Sequence, residues 1–309
     1  MNDQRIAVLL MAYGTPRTRE EIEPYYTDIR RGRPPTPEAL ADLTARYDAL
    51  GGTSPLAART EAQRAGLQAA LDAIEPGRYE VSLGLKHAEP KIETAVDAIA
   101  AQGFRHIVGL VLAPHYSSFS IGQYLDRAKA AAEPHGITVA GIESWALEPA
   151  YVDFITADLV AKLATMPQNT KVLFTAHSLP QRIVDAGDPY PQELRSTAEA
   201  VAAKAGLGPW SRWAIAWQSA GRTPEPWLGP DILQVIDDLA GSENDAGRTQ
   251  GVLVSAVGFV ADHLEVLYDL DIEAAARARQ RGLAFARTAC VNDDPTVMTA
   301  LAHRVIAAG

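Results

Sequence analysis

The sequence predicts an α/β protein whose parallel sheets are covered by helices on both faces. Short apolar runs alternate with amphipathic helical patterns along most of the chain. Runs that are apolar throughout are typical of parallel strands, because both faces of a parallel sheet are buried. The intervening helices supply the crossover connections that parallel pairing requires. The predicted strands cover residues 5–11, 79–85, 106–113, 138–142, 171–176, 213–217, 251–257 and 283–290.

Capping signals and apolar periodicity place the helices. Thr18 and Glu21 have the spacing of a capping box, which predicts a helix that starts there. Thr36 and Pro37 suit the N-cap and the first position of the next helix. The remaining helices are predicted at about residues 55–74, 91–101, 121–132, 149–165, 192–205, 231–240 and 294–308.

The length of the chain, 309 residues, is enough for two domains of ordinary size. We place the boundary near residues 145–149, which leaves four predicted strands on each side. The domains are then residues 1–146 and 147–309, and the C-terminal helix at about 294–309 is able to pack back on the first domain. Residues 242–249 are polar and are predicted to form a loop.

The composition predicts a soluble globular protein and excludes several classes of function. Apolar residues make up 47% of the chain and charged residues 21%. No apolar run reaches the roughly 18 residues that span a bilayer, and the N-terminus lacks the features of a signal peptide. We therefore expect a cytoplasmic protein without stable membrane insertion, and as a separate expectation a monomer. The net charge of −10 argues against nucleic acid as a partner.

Two other negative signals narrow the chemistry. The chain contains a single cysteine, Cys290, which excludes an internal disulfide and any four-cysteine iron–sulfur or zinc site supplied by this chain alone. Neither a dinucleotide fingerprint nor a phosphate-binding P-loop is present, so nucleotide-dependent chemistry is not expected.

A row of carboxylates is the most distinctive feature of the C-terminal half. Glu265, Asp269 and Glu273 recur every fourth residue and would lie along one face of an α-helix. Like charges at this spacing cost a helix roughly 0.2–0.5 kcal/mol per pair, so the row favours a compensating divalent cation. The alternative is a solvated acidic face that opens with an Asp262–Glu265 capping box.

Polar residues follow the predicted strands at the points where the strands end. Tyr13, His87 and His177 each follow an apolar run, and Gln218 with Ser219 follows another. Open parallel sheets bind ligands at the carboxyl ends of their strands, so these side chains are expected to line a site. Histidine has a reference pKa of about 6.5, which suits proton transfer or metal ligation near neutrality. A histidine at a strand end also occurs as a purely structural residue.

Eight sequence words, in order from about residue 11 to residue 273, carry a resemblance to the ferrochelatases, which insert ferrous iron into a porphyrin. They are MAYGTP, RYDALGGTSPL, GLKHAEP, LAPHYSSFSIGQY, FTAHSLP, GDPYPQEL, WQSAGRTPEPWLGPDI and VGFVADHLEVLYDLDIE. The chain is most similar to the soluble enzymes of Gram-positive bacteria that act on coproporphyrin III, since Tyr13 stands where mitochondrial relatives typically carry Met. The resemblance implies two similar Rossmann-like domains of the chelatase type, with the active-site cleft between them.

The resemblance also implies roles for the metal-handling residues. His177 and Glu265 would flank the porphyrin centre, where His177 accepts pyrrole protons or delivers iron and Glu265 ligates iron or relays protons. Tyr13 would be the axial contact to the product iron on the other side. His87, Asp269 and Glu273 would form with Glu265 an outer path along which hydrated iron loses its waters.

The porphyrin carboxylates need local donors, because the protein as a whole is acidic. The matching words offer Arg30, Arg46, Tyr47, Ser54 and Tyr124. Arginine binds carboxylates through two parallel hydrogen bonds, so Arg30 is the strongest candidate. Its neighbours Arg31 and Arg33 are interpreted as a solvated turn.

These features together predict a coproporphyrin ferrochelatase that takes Fe2+ as a substrate and needs neither an organic cofactor nor an iron–sulfur cluster. The alternatives are a protoporphyrin IX ferrochelatase, a chelatase for another tetrapyrrole such as a cobalt chelatase acting on sirohydrochlorin, and a porphyrin or haem carrier without chemistry. A carrier would have no use for a row of three carboxylates. Metal insertion followed by porphyrin absorbance would distinguish a carrier from an enzyme.

Overall fold

The structure, a computed structural model, describes residues 5–208, 212–221, 223–241, 243–244 and 247–309. The chain forms two compact units, each built on a four-stranded parallel sheet. The first unit extends to Trp145 and includes Ala261–Leu264 and Asn292–Gly309, and the second comprises Ala146–Val260 and Glu265–Val291. The predicted α/β class with two parallel four-stranded sheets is confirmed.

In each four-stranded sheet, the strand that comes first in the chain lies in the interior of the sheet. The strand order is β2-β1-β3-β4 in the first unit and β10-β9-β5-β6 in the second. The strands are β1 Ile6–Ala12, β2 Tyr79–Leu85, β3 His106–Val111, β4 Thr138–Ile142, β5 Thr170–His177, β6 Trp213–Gln218, β7 Glu243–Asn244, β8 Gly247–Arg248, β9 Gly251–Ser255 and β10 Ala284–Arg287.

Helices follow most strands, as parallel connections demand. They are α1 Ile22–Ile29, α2 Pro37–Ala49, α3 Leu56–Ile74, α4 Ile92–Ala101, α5 Ile121–Ala132, α6 Pro149–Leu163, α7 Gln181–Asp185, α8 Tyr190–Lys204, α9 Ile232–Gly241, α10 Leu264–Val266, α11 Ala275–Gln280 and α12 Pro295–Ala308. A π-helix, Leu267–Ala274, lies between α10 and α11. In the part of the chain that the structure describes, no helix has the length and apolar character to cross a bilayer.

The core of the first unit explains why β1 is apolar throughout. All seven of its residues are buried, because helices cover both faces of the sheet. Its alternate residues Leu9 and Met11 join one buried cluster with Ile92 of α4 and Leu125 of α5. The C-terminal helix α12 packs on α3 and along β4.

Three local predictions are corrected or sharpened by the structure. Thr36 caps α2 as predicted, since its hydroxyl accepts the backbone N–H of Ala39 at 3.3 Å. The helix predicted at Thr18 begins instead at Ile22, after one 3₁₀ turn, because the Glu21 carboxylate accepts the backbone N–H of Arg17 rather than that of Thr18. The polar loop predicted over 242–249 contains the short antiparallel pair β7 and β8. Residues 242, 245 and 246 of that prediction lie outside the described residues.

The acidic row is the largest local departure from the prediction. The sequence predicts an α-helix through Glu265, Asp269 and Glu273, whereas Leu267–Ala274 is π-helical. A π-helix bonds each N–H to the carbonyl five residues earlier, so side chains four residues apart are offset around the axis. Such segments are uncommon and are often found at functional sites.

Candidate active site

The second unit brings together the two residues that the sequence predicts as catalytic. His177 is the last residue of β5, and Glu265 lies in the short helix α10. The His177 Nε2 atom is 3.7 Å from Glu265 Oε1, and each side chain is a little over one-third exposed. A divalent metal binds imidazole nitrogen and carboxylate oxygen at about 2.0–2.2 Å, so a single ion can reach both atoms at this separation.

A backbone contact fixes which nitrogen of His177 carries the proton. The Nδ1 atom lies 2.5 Å from the carbonyl oxygen of Ser178. A carbonyl can only accept a hydrogen bond, so Nδ1 is the donor and the neutral ring keeps its lone pair on Nε2. The nitrogen that faces Glu265 is therefore the one able to accept a proton or ligate a metal ion.

The main chain around His177 is held by its neighbours. Tyr190 donates its hydroxyl to the His177 carbonyl at 3.2 Å, and its ring packs 5.9 Å from that of Trp217. Ser178 is 1% exposed and donates its hydroxyl to the Leu228 carbonyl at 2.8 Å. Burial raises the pKa of Tyr190, and the nearby Glu265 carboxylate raises that pKa further, so Tyr190 remains a hydrogen-bond donor at neutral pH. The imidazole is thus attached to a fixed backbone.

Gln218 links the two strands of this site to Glu265. It is the register partner of His177 in the pairing of β5 with β6 and is 1% exposed. Its side-chain amide donates to the Glu265 carbonyl at 3.1 Å. Because β5 and β6 are hydrogen-bonded neighbours, Gln218 ties the start of residues 265–273, which we call the acidic segment, to the strand end that carries His177.

The acidic segment is fixed by bonds to two of its carboxylates. Asp269 is 7% exposed and accepts the hydroxyl of Ser219 at 2.5 Å. Asp271 forms a bidentate pair with Arg287, at 2.8 Å and 2.9 Å. Glu273 is half-buried. The burial of Asp269 contradicts the alternative of a solvated acidic face.

The predicted set of metal-handling residues is not gathered into one cluster. Across the described ranges, no group of three or more His, Cys, Asp and Glu side chains is arranged to hold a metal ion. His177 and Glu265 form a pair in the second unit, while Asp269 is engaged by Ser219. The outer path through His87, Asp269 and Glu273 stays a prediction.

The first unit places Tyr13 and His87 side by side. Tyr13 follows β1, is 42% exposed, and its ring centroid lies 4.6 Å from that of His87. The backbone N–H of His87 also donates to the Tyr13 carbonyl at 2.9 Å. His87 Nδ1 is 2.7 Å from a carboxylate oxygen of Asp28, whose other oxygen is 2.9 Å from Lys91 Nζ.

Burial decides the charge of this second histidine. Desolvation lowers the pKa of His87, and this effect outweighs the opposing attraction of Asp28. The pKa of Asp28 is also lowered, because hydrogen bonds from Lys91 and His87 outweigh the burial that would raise it. Near neutral pH the site therefore holds a neutral imidazole against an ionised carboxylate.

A half-buried lysine lies next to this histidine. Lys86 Nζ is 2.9 Å from Gln123 Oε1 and 5.1 Å from the centre of the Tyr124 ring. Burial, reinforced by the charges of Arg127 and Arg31, lowers the pKa of Lys86 to about 8. The surroundings of Lys86 therefore include two positively charged arginines, although the chain as a whole is acidic.

The predicted carboxylate-binding residues differ in how accessible they are. Arg30 is exposed at the end of α1, 5.8 Å from the centre of the Tyr26 ring. The Arg46 side chain is 28% exposed and lies 3.4 Å from Asp42. Tyr47, Ser54 and Tyr124 are buried, at 2%, 7% and 4% exposure.

Two of the buried residues already have partners that explain their burial. Tyr47 contacts the hydroxyl of Thr15 at 3.4 Å, and Ser54 accepts the backbone N–H of Leu56 ahead of α3. Their part in substrate binding stays a prediction, as it does for Arg30, Arg46 and Tyr124.

Sequence reasoning missed several residues that shape the two sites. Lys86 and Tyr190 had a signal, because they lie in the matching words GLKHAEP and GDPYPQEL. Asp28 had none, since its contact with His87 joins positions 59 residues apart. Only the folded structure brings such residues together.

Comparisons with solved structures show which fold the chain adopts. SirB from Bacillus subtilis with Fe3+ aligns over 98% of this chain and 95% of its own, with a TM-score of 0.56 and 14% identity. CbiX, the terminal enzyme for biosynthesis of siroheme in denitrifying bacteria, aligns over 99% of this chain and 100% of its own, with a TM-score of 0.53 and 14% identity. At such low identity the likeness shows the fold alone, which is that of the chelatases.

Sequence comparison then gives the family. The ferrochelatase family model matches residues 5–308, and this chain belongs to that family. The coproporphyrin III ferrochelatase of Halalkalibacterium halodurans is 44% identical, over 98% of this chain and 96% of the relative. That of Bacillus subtilis is 43% identical, over 99% and 98%. A ferrochelatase of Herpetosiphon aurantiacus is also 43% identical, over 96% and 97%. The resemblance inferred from the motifs is confirmed, and the chain is a metal chelatase.

The bond between Ser219 and Asp269 generates a prediction about stability. Ser219 has a left-handed backbone, with φ of 58°, so alanine at this position would keep the backbone strain while losing the hydroxyl. Ser219→Ala should lower the free energy of unfolding by about 1.5–3 kcal/mol, the usual contribution of a hydrogen bond to a charged group. Ser219→Gly should be less damaging, because glycine relieves the backbone strain. Chemical denaturation would measure both variants.

Ser196→Ala is the matched control, since the Ser196 hydroxyl donates to the Gln192 carbonyl of its own helix, at 3.0 Å, and bonds to no charged group among the described residues. Its stability should change by no more than about 0.5 kcal/mol. Equal stability of Ser219→Ala and the wild type would show that the Ser219 hydroxyl does not stabilise the acidic segment.

Proposed function

We propose that this ferrochelatase inserts Fe2+ into coproporphyrin III to give Fe-coproporphyrin III, a step in the synthesis of haem b. Two pyrrole protons leave the ring as one ferrous ion enters, so the reaction has no change of oxidation state. Iron is a substrate, and no organic cofactor takes part. The relatives named coproporphyrin III ferrochelatase, at 43–44% identity over nearly the whole chain, support this substrate.

The observation that carries the chemistry is the pair of His177 and Glu265, 3.7 Å apart. Hard carboxylate oxygens suit a hydrated divalent ion, and an imidazole nitrogen suits its transfer to the nitrogens of the ring. We assign Glu265 to the binding of the incoming iron and His177 Nε2 to proton acceptance or iron delivery. The fixed tautomer of His177 supports this role, because its lone pair is on the nitrogen that faces Glu265.

The barrier of the reaction lies in removing water from the iron and in bending a flat macrocycle so that its nitrogens are exposed. An enzyme lowers this barrier only through interactions that are stronger in the transition state than in the substrate. A carboxylate and an imidazole that replace iron-bound waters one at a time would provide such interactions. Tyr13, which is exposed and packed on His87, is assigned as the axial contact to the product iron.

The substrate carboxylates are assigned chiefly to Arg30. It is the most accessible of the predicted carboxylate contacts, and its guanidinium can form two parallel hydrogen bonds to one carboxylate. Arg46, Tyr47, Ser54 and Tyr124 remain weaker candidates. The absence of an iron–sulfur cluster, a cytoplasmic location and a monomeric state also stay predictions.

The choice of porphyrin is the central test of this function. The purified protein should insert Fe2+ or Zn2+ into coproporphyrin III at least about tenfold faster than into protoporphyrin IX, because the relatives that name a porphyrin name coproporphyrin III. Anaerobic absorbance assays would follow both reactions side by side. A faster reaction with protoporphyrin IX would assign the protein to that substrate, and a spectral shift without metal insertion would indicate a carrier.

His177→Ala should abolish metal insertion while leaving porphyrin binding intact. Loss of a general base typically slows a reaction by about 10²–10⁴-fold. Glu265→Gln should raise the apparent KM for the metal as well, since the amide is neutral. Initial rates and fluorescence titration would separate the two effects, and thermal unfolding would confirm the fold. A His177→Ala rate above about one-tenth of the wild type would contradict the assignment.

Arg30→Ala should weaken binding of coproporphyrin III more than that of protoporphyrin IX, because the first porphyrin carries four carboxylates and the second carries two. A charged hydrogen-bonded pair contributes about 1.5–3 kcal/mol, or roughly tenfold or more in Kd. Arg33→Ala is the matched control, because Arg33 is an equally exposed arginine three residues away. Fluorescence quenching at two salt concentrations would measure the Kd of both porphyrins for the wild type and the two variants. Equal losses for the two porphyrins would remove Arg30 from the site.

A further inference from the structure

We propose that Asp28 is a positioning residue for metal insertion, and that it holds His87 in the tautomer with the proton on Nδ1 and the lone pair on Nε2. The proposal rests on the proposed function. It concerns a residue of α1 that no sequence motif marks as functional. The argument depends on three contacts within the first unit.

The first contact fixes the position of the proton. His87 Nδ1 is 2.7 Å from Asp28 Oδ2, which is hydrogen-bond distance. An ionised carboxylate offers only lone pairs, so the proton of this bond belongs to the imidazole. In a neutral ring the other nitrogen, Nε2, must then be an acceptor.

The second contact holds the carboxylate itself. Lys91, the N-cap residue of α4, lies with its Nζ 2.9 Å from Asp28 Oδ1. Both oxygens of Asp28 therefore have a fixed partner, and the carboxylate cannot rotate without breaking one of the two bonds. The His87 side chain is only 13% exposed, so water competes weakly for Nδ1.

The third contact connects this histidine to the proposed site. The His87 backbone N–H donates to the Tyr13 carbonyl at 2.9 Å, and the two rings are 4.6 Å apart. Asp28 sets the rotation of an imidazole that packs against the assigned axial residue. Carboxylates that orient a histidine in this way typically change affinity or activity by about 10- to 100-fold when they are replaced.

The orientation gives His87 a defined chemical task. Its Nε2 lone pair can accept a hydrogen bond from a donor that the substrates bring, either a pyrrole N–H or an iron-bound water. With the proton on Nε2, the same ring nitrogen would be a hydrogen-bond donor and could accept from neither the pyrrole N–H nor the water. Asp28 thus acts through His87 rather than by touching the substrates.

The test uses an isosteric substitution that reverses the tautomer. In Asp28→Asn the side-chain amide can donate to Nδ1, which moves the ring proton to Nε2. Asp28→Glu keeps the carboxylate. Asp48→Asn is the matched control, because Asp48 is an ion-paired aspartate, bonded to Arg19 and to no histidine among the described residues, and its side chain is 43% exposed against 41% for Asp28.

Two independent measurements decide the result. Ring ¹⁵N shifts of His87 report the tautomer directly, and steady-state Zn2+ insertion into coproporphyrin III reports kcat and KM. We expect Asp28→Asn to carry the proton on Nε2 and to lose about 10- to 100-fold in kcat, with porphyrin Kd unchanged. Asp28→Glu should keep the Nδ1 proton and recover most of the rate, and Asp48→Asn should match the wild type.

The proposal is overturned if Asp28→Asn keeps the wild-type tautomer, or if the tautomer changes and kcat does not. Failure of the proposed function has a different signature, namely a wild-type protein that inserts no metal while its His87 still carries the proton on Nδ1. Should Asp28→Asn not fold, as judged by its melting temperature, the tautomer and rate of Asp28→Glu decide the question. Loss of the Nδ1 proton in that variant would count against the proposal.

Discussion

The parallel register of β5 with its two neighbours is the constraint on which the site of the second unit depends. On one side this register puts His177 beside Gln218, and on the other it puts Phe174 beside Ser255. A slip of one residue would turn every side chain of β5 to the opposite face of the sheet. The imidazole would then point away from Gln218, whose amide holds the Glu265 backbone.

The chain that leaves β9 must also come close to β5, and a glycine allows this. The backbone N–H of Gly258 donates to the Thr175 carbonyl at 3.0 Å. A Cβ atom at Gly258 would lie 2.3 Å from the Cβ of Ala176, a distance that real side chains do not adopt. The close approach of two backbones therefore requires glycine at this position. The buried apolar strands set the register. Gly258 then allows the segment that follows β9 to pack directly against the backbone of β5.

The sequence predicts the strands well because burial on both faces leaves a strong local signal. Seven buried residues in a row, as in β1, fit little besides a central parallel strand. The acidic segment was predicted less well, because its carboxylate spacing fits an α-helix and carries no sign of a π-helix. The bonds that hold this segment come from elsewhere in the chain, from Ser219 to Asp269 and from Arg287 to Asp271. Such long-range bonds leave no periodic pattern.

In the candidate site too, the residues that could be predicted lie in local sequence patterns, and the others are placed by long-range contacts. His177, Glu265 and Tyr13 lie in recognisable words at strand ends or in the acidic row, so their placement could be predicted. The burial of Tyr47 and Ser54 could not, because both are polar residues whose partners are set by the packing of α2 and α3. The pairing of Asp28 with His87 could not be predicted either, since α1 and the end of β2 meet only after folding.

One histidine in each unit has the position of its ring proton fixed by a hydrogen-bond acceptor at Nδ1, and the two acceptors differ. Each has its Nδ1 next to an atom that only accepts, which is the Ser178 carbonyl for His177 and the Asp28 carboxylate for His87. In its neutral form each ring therefore presents an Nε2 lone pair, which can take a proton or bind a metal ion. The neutral carbonyl adds no net charge beside His177, and the Glu265 carboxylate lies 3.7 Å from the Nε2 atom of that ring. The anionic acceptor of His87 is balanced by Lys91, which removes the excess negative charge. The two histidines therefore differ in where their carboxylate lies, because Glu265 faces the Nε2 atom of His177 whereas Asp28 holds the Nδ1 atom of His87.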